Sequence, residues 1–500
     1  MTIIEYLIKH AQEKPQTFFL KDEAKSWSFG SFYEEIAKLS TFFITHGIQK
    51  GDYVVIHLAS KSEHLLTYMA LLHIGAVSVH LYPEREEEYV IFAAEHTSAK
   101  AVVSCTLKHD IENIQVLHFP KCDELEPTYC DDSYEIAYVM FTSGTTSLPK
   151  AVLTTQENIL FVTRTLIELA QMREGAEREV ILLPLGSTGG LGHFHASLLL
   201  GNSLRLFPGF YSTMNDQGIA VLLDCIEEEG ATGVLLTPSL ITRMLTYHKE
   251  RLKIAGKTLR YSLANVTPMR KEIIEALLEL LPNLRFCTYY GSTEASRSIV
   301  NICRESGEFL HLSGKASQGV EIKLHNQNGE GEGEIYIKGG NVMLGYLHSQ
   351  ESSFDDGWFQ SGDMGRIDKN GFISVLGRIK ETISIDGMKL FPMEIENVLS
   401  SHKNVKDIGV CKLIDESLAP YIGMAIVLND ENIDKETFVC DTAEVLKKYF
   451  KVDQTELYRY KVPKKVFFES QIPRTDLGKI KRDELEKLLT QSDNAILIKG

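Results

Sequence analysis

A hydroxyl-rich and glycine-rich segment in the first third of the chain has the side chains that a phosphate-binding loop requires. An apolar run, Tyr138–Phe141, leads into the sequence Thr-Ser-Gly-Thr-Thr-Ser-Leu-Pro-Lys at positions 142–150. A glycine lets the backbone approach an anion closely, while backbone N–H groups, hydroxyls and a lysine supply hydrogen bonds and positive charge. The residues that supply these groups are Thr142, Ser143, Gly144, Thr145, Thr146 and Lys150. The spacing differs from GxxxxGK(S/T), so the usual P-loop architecture is not indicated. Considered alone, such a segment is more often a polar loop after a buried strand.

Three later segments also carry residues suited to catalysis or binding. The strand-like run 284–290 is followed by Gly291, Thr293 and Glu294, which offer close backbone approach, a hydroxyl and a carboxylate. The run 181–184 reads as a strand and leads into 185–193, where four glycines lie within seven residues. These glycines predict either a cavity surface with little side-chain bulk or close backbone packing, and both interpretations stay open. Near the C-terminus, Lys479 lies in a loop rich in positive charge.

Length and composition limit the class of protein. A chain of 500 residues exceeds what one hydrophobic core usually supports, so two or more domains are expected. The formal charge of −16 argues against nucleic acid or an anionic membrane as the main partner, although a small anionic substrate stays possible. The eight cysteines form no CxxC pair, which favours reduced thiols. The N-terminus lacks the pattern of a secretory signal, and Pro184 with several glycines interrupts the most apolar region, so no membrane span and a cytoplasmic location are expected.

The elements that must position these residues alternate between helix and strand. The spacing predicts helices at 31–47 and 64–74 and strands at 53–58 and 75–81, which is typical of an α/β fold with mainly parallel strands. From about residue 317, short strands at 320–324, 333–338 and 371–376 predict a small antiparallel β unit. A charged segment at 377–381 marks a domain boundary. The remainder reads as an α+β domain with helices at 392–400 and 440–450 and strands near 406–411 and 421–428.

Taken together, these segments resemble the AMP-forming adenylating superfamily, which includes acyl- and aryl-CoA ligases, peptide-synthetase adenylation domains and beetle luciferases. The matching motifs lie in the family's order over essentially the whole chain. They are the phosphate loop Thr142–Lys150, the YGxTE motif Tyr290–Glu294, the (S/T)GD motif within Trp358–Asp363, the hinge segment Gly377–Lys380 and the C-terminal catalytic lysine at Gly478-Lys479, with weaker matches at Ser28–Phe32 and Gly51-Asp52. By this resemblance, a large N-terminal α/β domain with a small β unit (1–378) binds ATP and the acid. A small mobile C-terminal α+β domain (379–500) carries the catalytic lysine.

The resemblance also implies roles for individual residues. Thr142, Ser143, Gly144, Thr145, Thr146 and Lys150 would bind the phosphates of ATP, and Tyr290 with Gly291 the adenine. Thr293 would hydrogen-bond the α-phosphate, and Glu294 would be the Mg²⁺ ligand, because this cation prefers carboxylate and phosphate oxygens. Asp363 would accept from the ribose hydroxyls, and Arg378 would bind the ribose or phosphate side. Lys479 would bind the reacting carboxylate and α-phosphate. Without the resemblance, Tyr290 is a core tyrosine, Glu294 a solubilising carboxylate and Lys479 a surface lysine.

The implied reaction has two half-steps. A carboxylate attacks the α-phosphorus of MgATP, pyrophosphate leaves, and the resulting acyl-adenylate then transfers its acyl group to a thiol. Relatives rotate the small domain between the halves about the position held here by Lys380, so that the segment around Gly387 replaces Lys479 at the site. The thiol belongs either to CoA or to a phosphopantetheinyl carrier protein. A third hypothesis is a nucleotide-binding protein that has lost catalysis.

The acid-binding pocket is predicted at Ser187, Thr188, Gly192, Tyr289 and Arg297, with a polar contact from His193. Thr188 stands where relatives that activate amino acids have an aspartate, so a fatty or aryl acid is expected and an α-amino acid is not. Gly189, Gly190 and Gly192 would form an open pocket floor. Arg297 could pair with a second anionic group, although a structural ion pair or a solvent-facing position is the more common role. Departures from the family pattern, none of which removes a charge that the reaction needs, are Ser147, Ala151, Gln156 and Asn265-Val266.

Overall fold

In the computed structural model, the N-terminal alternation of strands and helices forms two large, mainly parallel sheets. The structure describes residues 1–107, 111–130, 133–142, 149–207, 215–265, 269, 271–307, 313–329, 331–348, 353–385, 388–399, 402, 404–415, 419–450, 462–474, 480–492 and 494–498. The chain divides into two units. The first comprises Met1–Thr267, Lys271–Ile322 and Ile337–Phe359, and the second Pro268–Arg270, Lys323–Tyr336 and Gln360–Gly500. Within the described residues, every helix is too short or too polar to cross a membrane.

Ten helices are described in the first unit. In chain order they are Ile3–Glu13 (α1), Phe29–Thr45 (α2), Ser62–His73 (α3), Glu87–His96 (α4), Gln156–Ala170 (α5), Thr188–Leu199 (α6), Asp216–Glu228 (α7), Pro238–Tyr247 (α8), Lys249–Ala255 (α9) and Lys271–Leu280 (α10). The predicted helices at 31–47 and 64–74 correspond to α2 and α3. Gly47 follows α2 with φ +78°, a conformation that glycine adopts at helix ends without strain.

The first large sheet contains the strand that leads into the predicted phosphate loop. Its strands are Tyr53–His57 (β3), Val77–His80 (β4), Ala101–Ser104 (β5), Gln115–Leu117 (β6), Ile136–Phe141 (β7), Ala151–Thr155 (β8) and Gly345–Tyr346 (β18), in the order β18-β8-β7-β4-β3-β5-β6. Strands β3 to β7 pair in parallel, and β8 pairs antiparallel with β7 and β18. Helices cover both faces, so the central strands are almost fully buried and read as continuous apolar runs.

The second large sheet ends in the strand before the predicted Tyr290–Glu294 motif. Its strands are Phe18–Lys21 (β1), Ser26–Ser28 (β2), Arg178–Ile181 (β9), Ser203–Leu206 (β10), Gly233–Leu235 (β11), Tyr261–Asn265 (β12), Arg285–Tyr290 (β13), Ile299–Ile302 (β14) and Lys315–Ala316 (β15), in the order β15-β14-β13-β12-β11-β9-β10-β1-β2. The five central pairings are parallel. The prediction of an α/β fold with mainly parallel strands is therefore confirmed.

The later part of the chain is built from short strands and three further helices. The strands are Val320–His325 (β16), Glu332–Gly339 (β17), Phe354–Asp355 (β19), Trp358–Ile367 (β20), Ile373–Arg378 (β21), Ile383–Ile385 (β22), Met388–Leu390 (β23), Val405–Ile414 (β24), Pro420–Leu428 (β25), Lys465–Phe468 (β26) and Ala495–Leu497 (β27). The helices are Pro392–Leu399 (α11), Lys435–Phe450 (α12) and Arg482–Gln491 (α13). Strands β19, β20 and β21 pair antiparallel, and β24 to β27 form one four-stranded sheet. The predicted small β unit and the α+β character of the C-terminal region are confirmed.

Two local predictions need correction. The strand predicted at 181–184 runs instead from Arg178 to Ile181, because its described pairing with β10 ends at Ile181 and Pro184 has no N–H to donate. The segment 185–193, expected as a glycine-rich surface, enters helix α6 at Thr188. The hydroxyl of Ser187 accepts a hydrogen bond from the N–H of Gly190 at 3.2 Å and so caps this helix.

Candidate active site

A narrow cleft in the first unit brings together residues from two of the predicted segments. It has a free volume of about 30 Å³, and its lining includes Thr188, Gly192 and Thr293. A cavity of this volume holds about one or two water molecules, so an organic acid enters only when lining side chains rotate. The cleft is completed by residues that the sequence interpretation did not select: Tyr138, Thr154, Asn158, Ile159, Val162, Thr163, His195, Ser296, Asn341 and Met343.

The turn after β13 fixes Thr293 and Glu294. A side chain at Gly291 would place its Cβ 2.5 Å from the backbone nitrogen of Arg297, so only glycine permits a turn this tight. The N–H of Ala295 donates to the hydroxyl of Ser292 at 3.2 Å, which closes the turn on its inner side. Thr293 therefore reaches the cleft from a constrained backbone.

Glu294 has one occupied and one available carboxylate oxygen. Its Oε1 accepts a hydrogen bond from the hydroxyl of Tyr346 at 2.8 Å, and within the described residues its Oε2 has no partner. The described part of the chain has no group of three or more His, Cys, Asp or Glu residues able to hold a metal ion. Mg²⁺ is usually bound by one or two carboxylates together with substrate phosphates, so a single half-buried carboxylate fits this ion when a polyphosphate is present.

Lys150 lies close to the same tyrosine. The N–H of Thr142 donates to the carbonyl of Lys150 at 3.0 Å, which closes the base of the loop between β7 and β8. The Lys150 ammonium lies 4.7 Å from the centroid of the Tyr346 ring, within the range of a cation–π contact. Tyr346 therefore contacts both Lys150 and Glu294. The predicted ligands Ser143, Gly144, Thr145 and Thr146 lie outside the described residues.

Asp363 and Arg378 face each other on adjacent strands of the second unit. They are paired in the register of β20 and β21, and Arg378 Nε lies 3.1 Å from Asp363 Oδ1. Arg378 also donates to the carbonyl of Ser361 at 3.0 Å. The Asp363 side chain is buried, whereas that of Arg378 is 42% exposed. The arrangement holds a carboxylate beside an accessible guanidinium, and the role of both residues at a ribose site stays a prediction.

The remaining predicted residues of the C-terminal region are only partly described. Lys380 lies in the short 3₁₀ turn Ile379–Glu381 and is exposed, as expected for a charged hinge residue. Lys479, Gly478 and Gly387 lie outside the described residues. Their roles stay predictions.

The structure contradicts the more common role expected of Arg297. This residue is neither solvent-facing nor ion-paired: it is 1% exposed, and within the described residues Nε, Nη1 and Nη2 all lack a hydrogen-bond partner. Its guanidinium carbon lies 5.2 Å from the centroid of the Tyr289 ring. Its backbone adopts φ +52°, an uncommon conformation for a residue with a side chain. Tyr289 is thus buried against Arg297 and is not among the residues that line the cleft.

Three predictions for the pocket also need revision. His193 points away from the cleft, because its Nδ1 forms a short contact with the buried carboxylate of Glu179. Ser187 caps α6 instead of lining the cleft. Gly190 packs against backbone, since a Cβ there would lie 2.5 Å from the carbonyl oxygen of Pro184. The backbone-packing interpretation holds for Gly190, and Gly192 has the predicted place in the cleft.

The helical spacing of residues in α6 could have identified one cleft residue that the sequence analysis did not select. Thr188, Gly192 and His195 all line the cleft and have the spacing i, i+4 and i+7, which places them on one face of α6. The interpretation of 185–193 as a glycine-rich surface did not use this spacing. Tyr346 had no such signal, because its place beside Glu294 depends on the pairing of β18 with β8.

Burial dominates the electrostatics of the cleft. It lowers the pKa of His195 to about 3, with a further contribution from the positive charge of Arg297. His195 is therefore neutral at pH 7, and its Nε2 is 3.0 Å from the hydroxyl of Tyr68. Burial also lowers the pKa of Arg297 itself, whereas it raises the pKa of Tyr138 to about 12.

Comparison with known proteins places the chain in a family. The model of the AMP-binding enzymes matches residues 7–347, and that of the AMP-binding enzyme C-terminal domain matches residues 394–479. The chain belongs to the AMP-binding enzyme family. It is an AMP-binding enzyme similar over nearly its full length to two curated ligases. A 2-succinylbenzoate–CoA ligase of Listeria innocua is 27% identical over 96% of this chain and 98% of that protein. A medium-chain fatty-acid–CoA ligase of Escherichia coli K12 is 27% identical over 97% and 90%.

Solved structures show the same fold. An O-succinylbenzoate coenzyme A synthetase from Bacillus subtilis, in complex with ATP and magnesium ion, has a TM-score of 0.81 and is 25% identical. The alignment covers 96% of this AMP-binding enzyme and 98% of that chain. The same synthetase in complex with its acyl-adenylate intermediate has a TM-score of 0.84, at 24% identity and with 98% and 99% coverage. A large N-terminal α/β domain followed by a C-terminal domain is thus the fold of this chain.

Proposed function

We propose that this AMP-binding enzyme activates a carboxylic acid with ATP, releases pyrophosphate and transfers the acyl group to the thiol of CoA. The observation that carries this function is the turn after β13, where Thr293 enters the cleft beside Glu294. Unless its side chains move, the cleft has room only for a small chemical group. Its wall offers hydroxyl groups and the neutral imidazole of His195. The two curated ligases named above, which both use CoA as the acceptor by name, support the same reaction class.

In the first half-reaction, the residues of the first unit hold and neutralise the triphosphate. Lys150 supplies positive charge at the base of the loop, and Thr293 donates its hydroxyl to the α-phosphate. Glu294 would hold a Mg²⁺ ion, which would supply positive charge beside the phosphates. Tyr346 orients the Glu294 carboxylate through its 2.8 Å hydrogen bond and leaves Oε2 available. The protein supplies position and charge, and the reaction needs no side-chain nucleophile.

The residues of the second unit bind the nucleoside and complete the charge balance. Asp363 accepts hydrogen bonds from the ribose hydroxyls, while Arg378, whose Nε lies 3.1 Å from Asp363 Oδ1, holds that carboxylate in place and binds the ribose or phosphate side. Lys479 binds the attacking carboxylate and the α-phosphate. Removal of one such charge from a water-excluded site costs about 3–4 kcal/mol, or roughly 10²–10³ in rate. In the second half-reaction, the domain that begins at residue 379 pivots at Lys380 and admits the thiol.

The cleft favours a fatty or aryl acid over an α-amino acid. Within the described residues, its lining contains no aspartate or glutamate that could pair with an ammonium group. Thr188 occupies the wall at the start of α6. A buried, unpaired ammonium would be costly there, so an acid without an α-amino group is the expected substrate.

Pyrophosphate release from MgATP tests this function across aryl, short-chain and long-chain acids, with and without CoA. We expect release that depends on the acid and an acyl-CoA product that forms only when CoA is present. Lys479→Ala should lose the acid-dependent rate, whereas Lys481→Ala, which removes an exposed lysine that pairs with Glu484, should retain it. Release without a thioester would indicate a carrier protein as the acceptor. ATP binding without release for any acid would contradict the proposed function.

A further inference from the structure

Arg297 presents a buried positive charge that the described part of the protein does not satisfy. All three guanidinium nitrogens are buried without a hydrogen-bond partner there, although arginine offers five N–H donors. Burying an unpaired charge is costly, and native proteins pair such groups with an opposite charge, an ion or a ligand. The residue therefore requires a partner from beyond the described part of the chain.

The nearest buried carboxylate does not serve as that partner. Glu179 is the acidic residue that contributes electrostatically to Arg297, but its two oxygens are engaged elsewhere. Oε1 contacts His193, and Oε2 accepts a hydrogen bond from Ser197 at 3.2 Å. The other close contact, with the face of the Tyr289 ring, is a cation–π interaction that leaves the in-plane N–H groups without acceptors.

The guanidinium lies directly behind the wall of the cleft. A Cβ added to Gly192 would lie 2.8 Å from Nη2 and 3.0 Å from Nη1 of Arg297, and Gly192 lines the cleft. Tyr138 and His195, whose pKa values both respond to the charge of Arg297, line it as well. The absence of a side chain at Gly192 thus leaves the guanidinium next to the cavity into which Thr293 projects.

We propose that the acid substrate carries a second carboxylate, and that Arg297 binds this carboxylate while the first one is activated. This inference rests on the proposed function, and it names the substrate class as dicarboxylic acids. A planar carboxylate matches the two-pronged donor pattern of a guanidinium, and such charge-assisted pairs are strong in a water-excluded site. His195, which is neutral at pH 7, adds no competing positive charge beside Arg297. No covalent step occurs at Arg297, which acts as a specificity-determining residue.

The experiment compares diacids with monoacids of the same skeleton. Suitable pairs are phthalate with benzoate, adipate with hexanoate, suberate with octanoate, and 2-succinylbenzoate with 4-oxo-4-phenylbutanoate. For the best pair, we expect the wild-type kcat/KM for pyrophosphate release to be at least about 30-fold higher with the diacid. Arg297→Met keeps the length of the side chain without its charge and should reduce this ratio to about one or below. Arg297→Lys keeps the charge without the planar fork and should give an intermediate ratio.

Two controls distinguish a loss of diacid preference from a general loss of activity or folding. Arg164→Met removes an exposed arginine from α5 and should keep the wild-type ratio. Activity of Arg297→Met with the monoacid shows that the variant is folded. An unchanged diacid preference in Arg297→Met, or a monoacid preference in the wild type, would overturn the inference while the proposed function stands.

Binding distinguishes failure of this inference from failure of the proposed function. If no acid supports pyrophosphate release, calorimetric titration of the same diacids in the presence of ATP gives a separate answer. Binding to the wild type and to Arg164→Met, but not to Arg297→Met, would support the carboxylate site without the reaction. Equal binding to all three proteins, or binding to none, would overturn it.

Discussion

Two arginines, the fully buried Arg297 of the first unit and the half-buried Arg482 of the second, have opposite surroundings. Arg482, at the start of α13, donates to Glu381 Oε2 at 2.6 Å, to both oxygens of Glu396 and to the carbonyl of Val410. Arg297 has no such partner within the described residues. Burial by itself would lower the pKa of Arg482, but Glu396 and Glu381 outweigh it and raise that pKa above its usual value. For Arg297, the burial effect prevails and the pKa is lowered.

The difference indicates two uses of the same side chain. Arg482 connects three segments of the C-terminal region, including Glu381 beside the predicted hinge residue Lys380, and four of its five N–H donors are paired without a ligand. Arg297 is held by a constrained turn next to the cleft, and its donors have no acceptor in the described part of the chain. A completed network indicates a structural residue, whereas an incomplete one indicates a binding residue.

The largest expected effect is the loss of the Arg482 network. Arg482→Met leaves Glu396 and Glu381 facing each other without a cation, and Glu396 is largely buried. We expect the free energy of unfolding of the C-terminal region to fall by about 3–5 kcal/mol, measured by urea denaturation. Arg474→Met is the matched control, because it removes an arginine paired with Asp407 on a more exposed surface and should cost about 1 kcal/mol or less. Equal losses in the two variants would remove the contrast between the arginines.

The second effect concerns the histidine that borders Arg297. The pKa of His195 is about 3 in the folded protein, against about 6.5 when unfolded, so this histidine contributes stability that is fully present above pH 6.5 and is lost as the pH falls. At pH 5, we expect the loss from His195 to be about 2 kcal/mol, because only the unfolded state gains the proton.

Urea denaturation at pH 7 and pH 5 measures this loss. His195→Gln cannot take up the proton, so its stability should fall by about 2 kcal/mol less than that of the wild type over this interval. His64, whose pKa burial lowers to about 4, adds a similar loss in both proteins and serves as the internal reference. If the free energy of unfolding depended on pH equally in the wild type and in His195→Gln, His195 would already be protonated beside Arg297 in the folded protein at pH 5.

Glu294 combines the two situations. One of its carboxylate oxygens is hydrogen-bonded, like the donors of Arg482, and the other is available, like the donors of Arg297. Tyr346→Phe removes the hydroxyl that donates to Oε1 and keeps the ring beneath Lys150. We expect kcat/KM for MgATP to fall by about 5- to 10-fold, which corresponds to about 1 kcal/mol for one hydrogen bond. Tyr247→Phe, at an exposed tyrosine, is the control and should leave the rate unchanged. A Tyr346→Phe rate equal to the wild type would show that this hydrogen bond does not orient Glu294.

The sequence could predict those parts of the site that depend on local order along the chain. Thr293 and Glu294 follow a strand that the sequence predicts at 284–290 and that the structure has at Arg285–Tyr290, whereas Asp363 is found only through its (S/T)GD motif and lies in the strand Trp358–Ile367. The surroundings of Arg297 could not be predicted, because they combine α6, β13 and β7, which are distant in sequence. The glycines before His193 also misled the interpretation. They predict a surface with little side-chain bulk or close backbone packing, whereas in the structure they lie in a helix that is stabilised by a Ser187 cap and by packing that excludes a Cβ at Gly190.

The most direct test of the contrast between the two arginines is the free energy of unfolding of Arg297→Met without any ligand. If Arg297 is reserved for a substrate carboxylate, removing its unpaired charge should leave the stability of the first unit unchanged or increase it. A loss of about 3 kcal/mol or more, as expected for Arg482→Met, would show that Arg297 has a structural partner and would contradict this account.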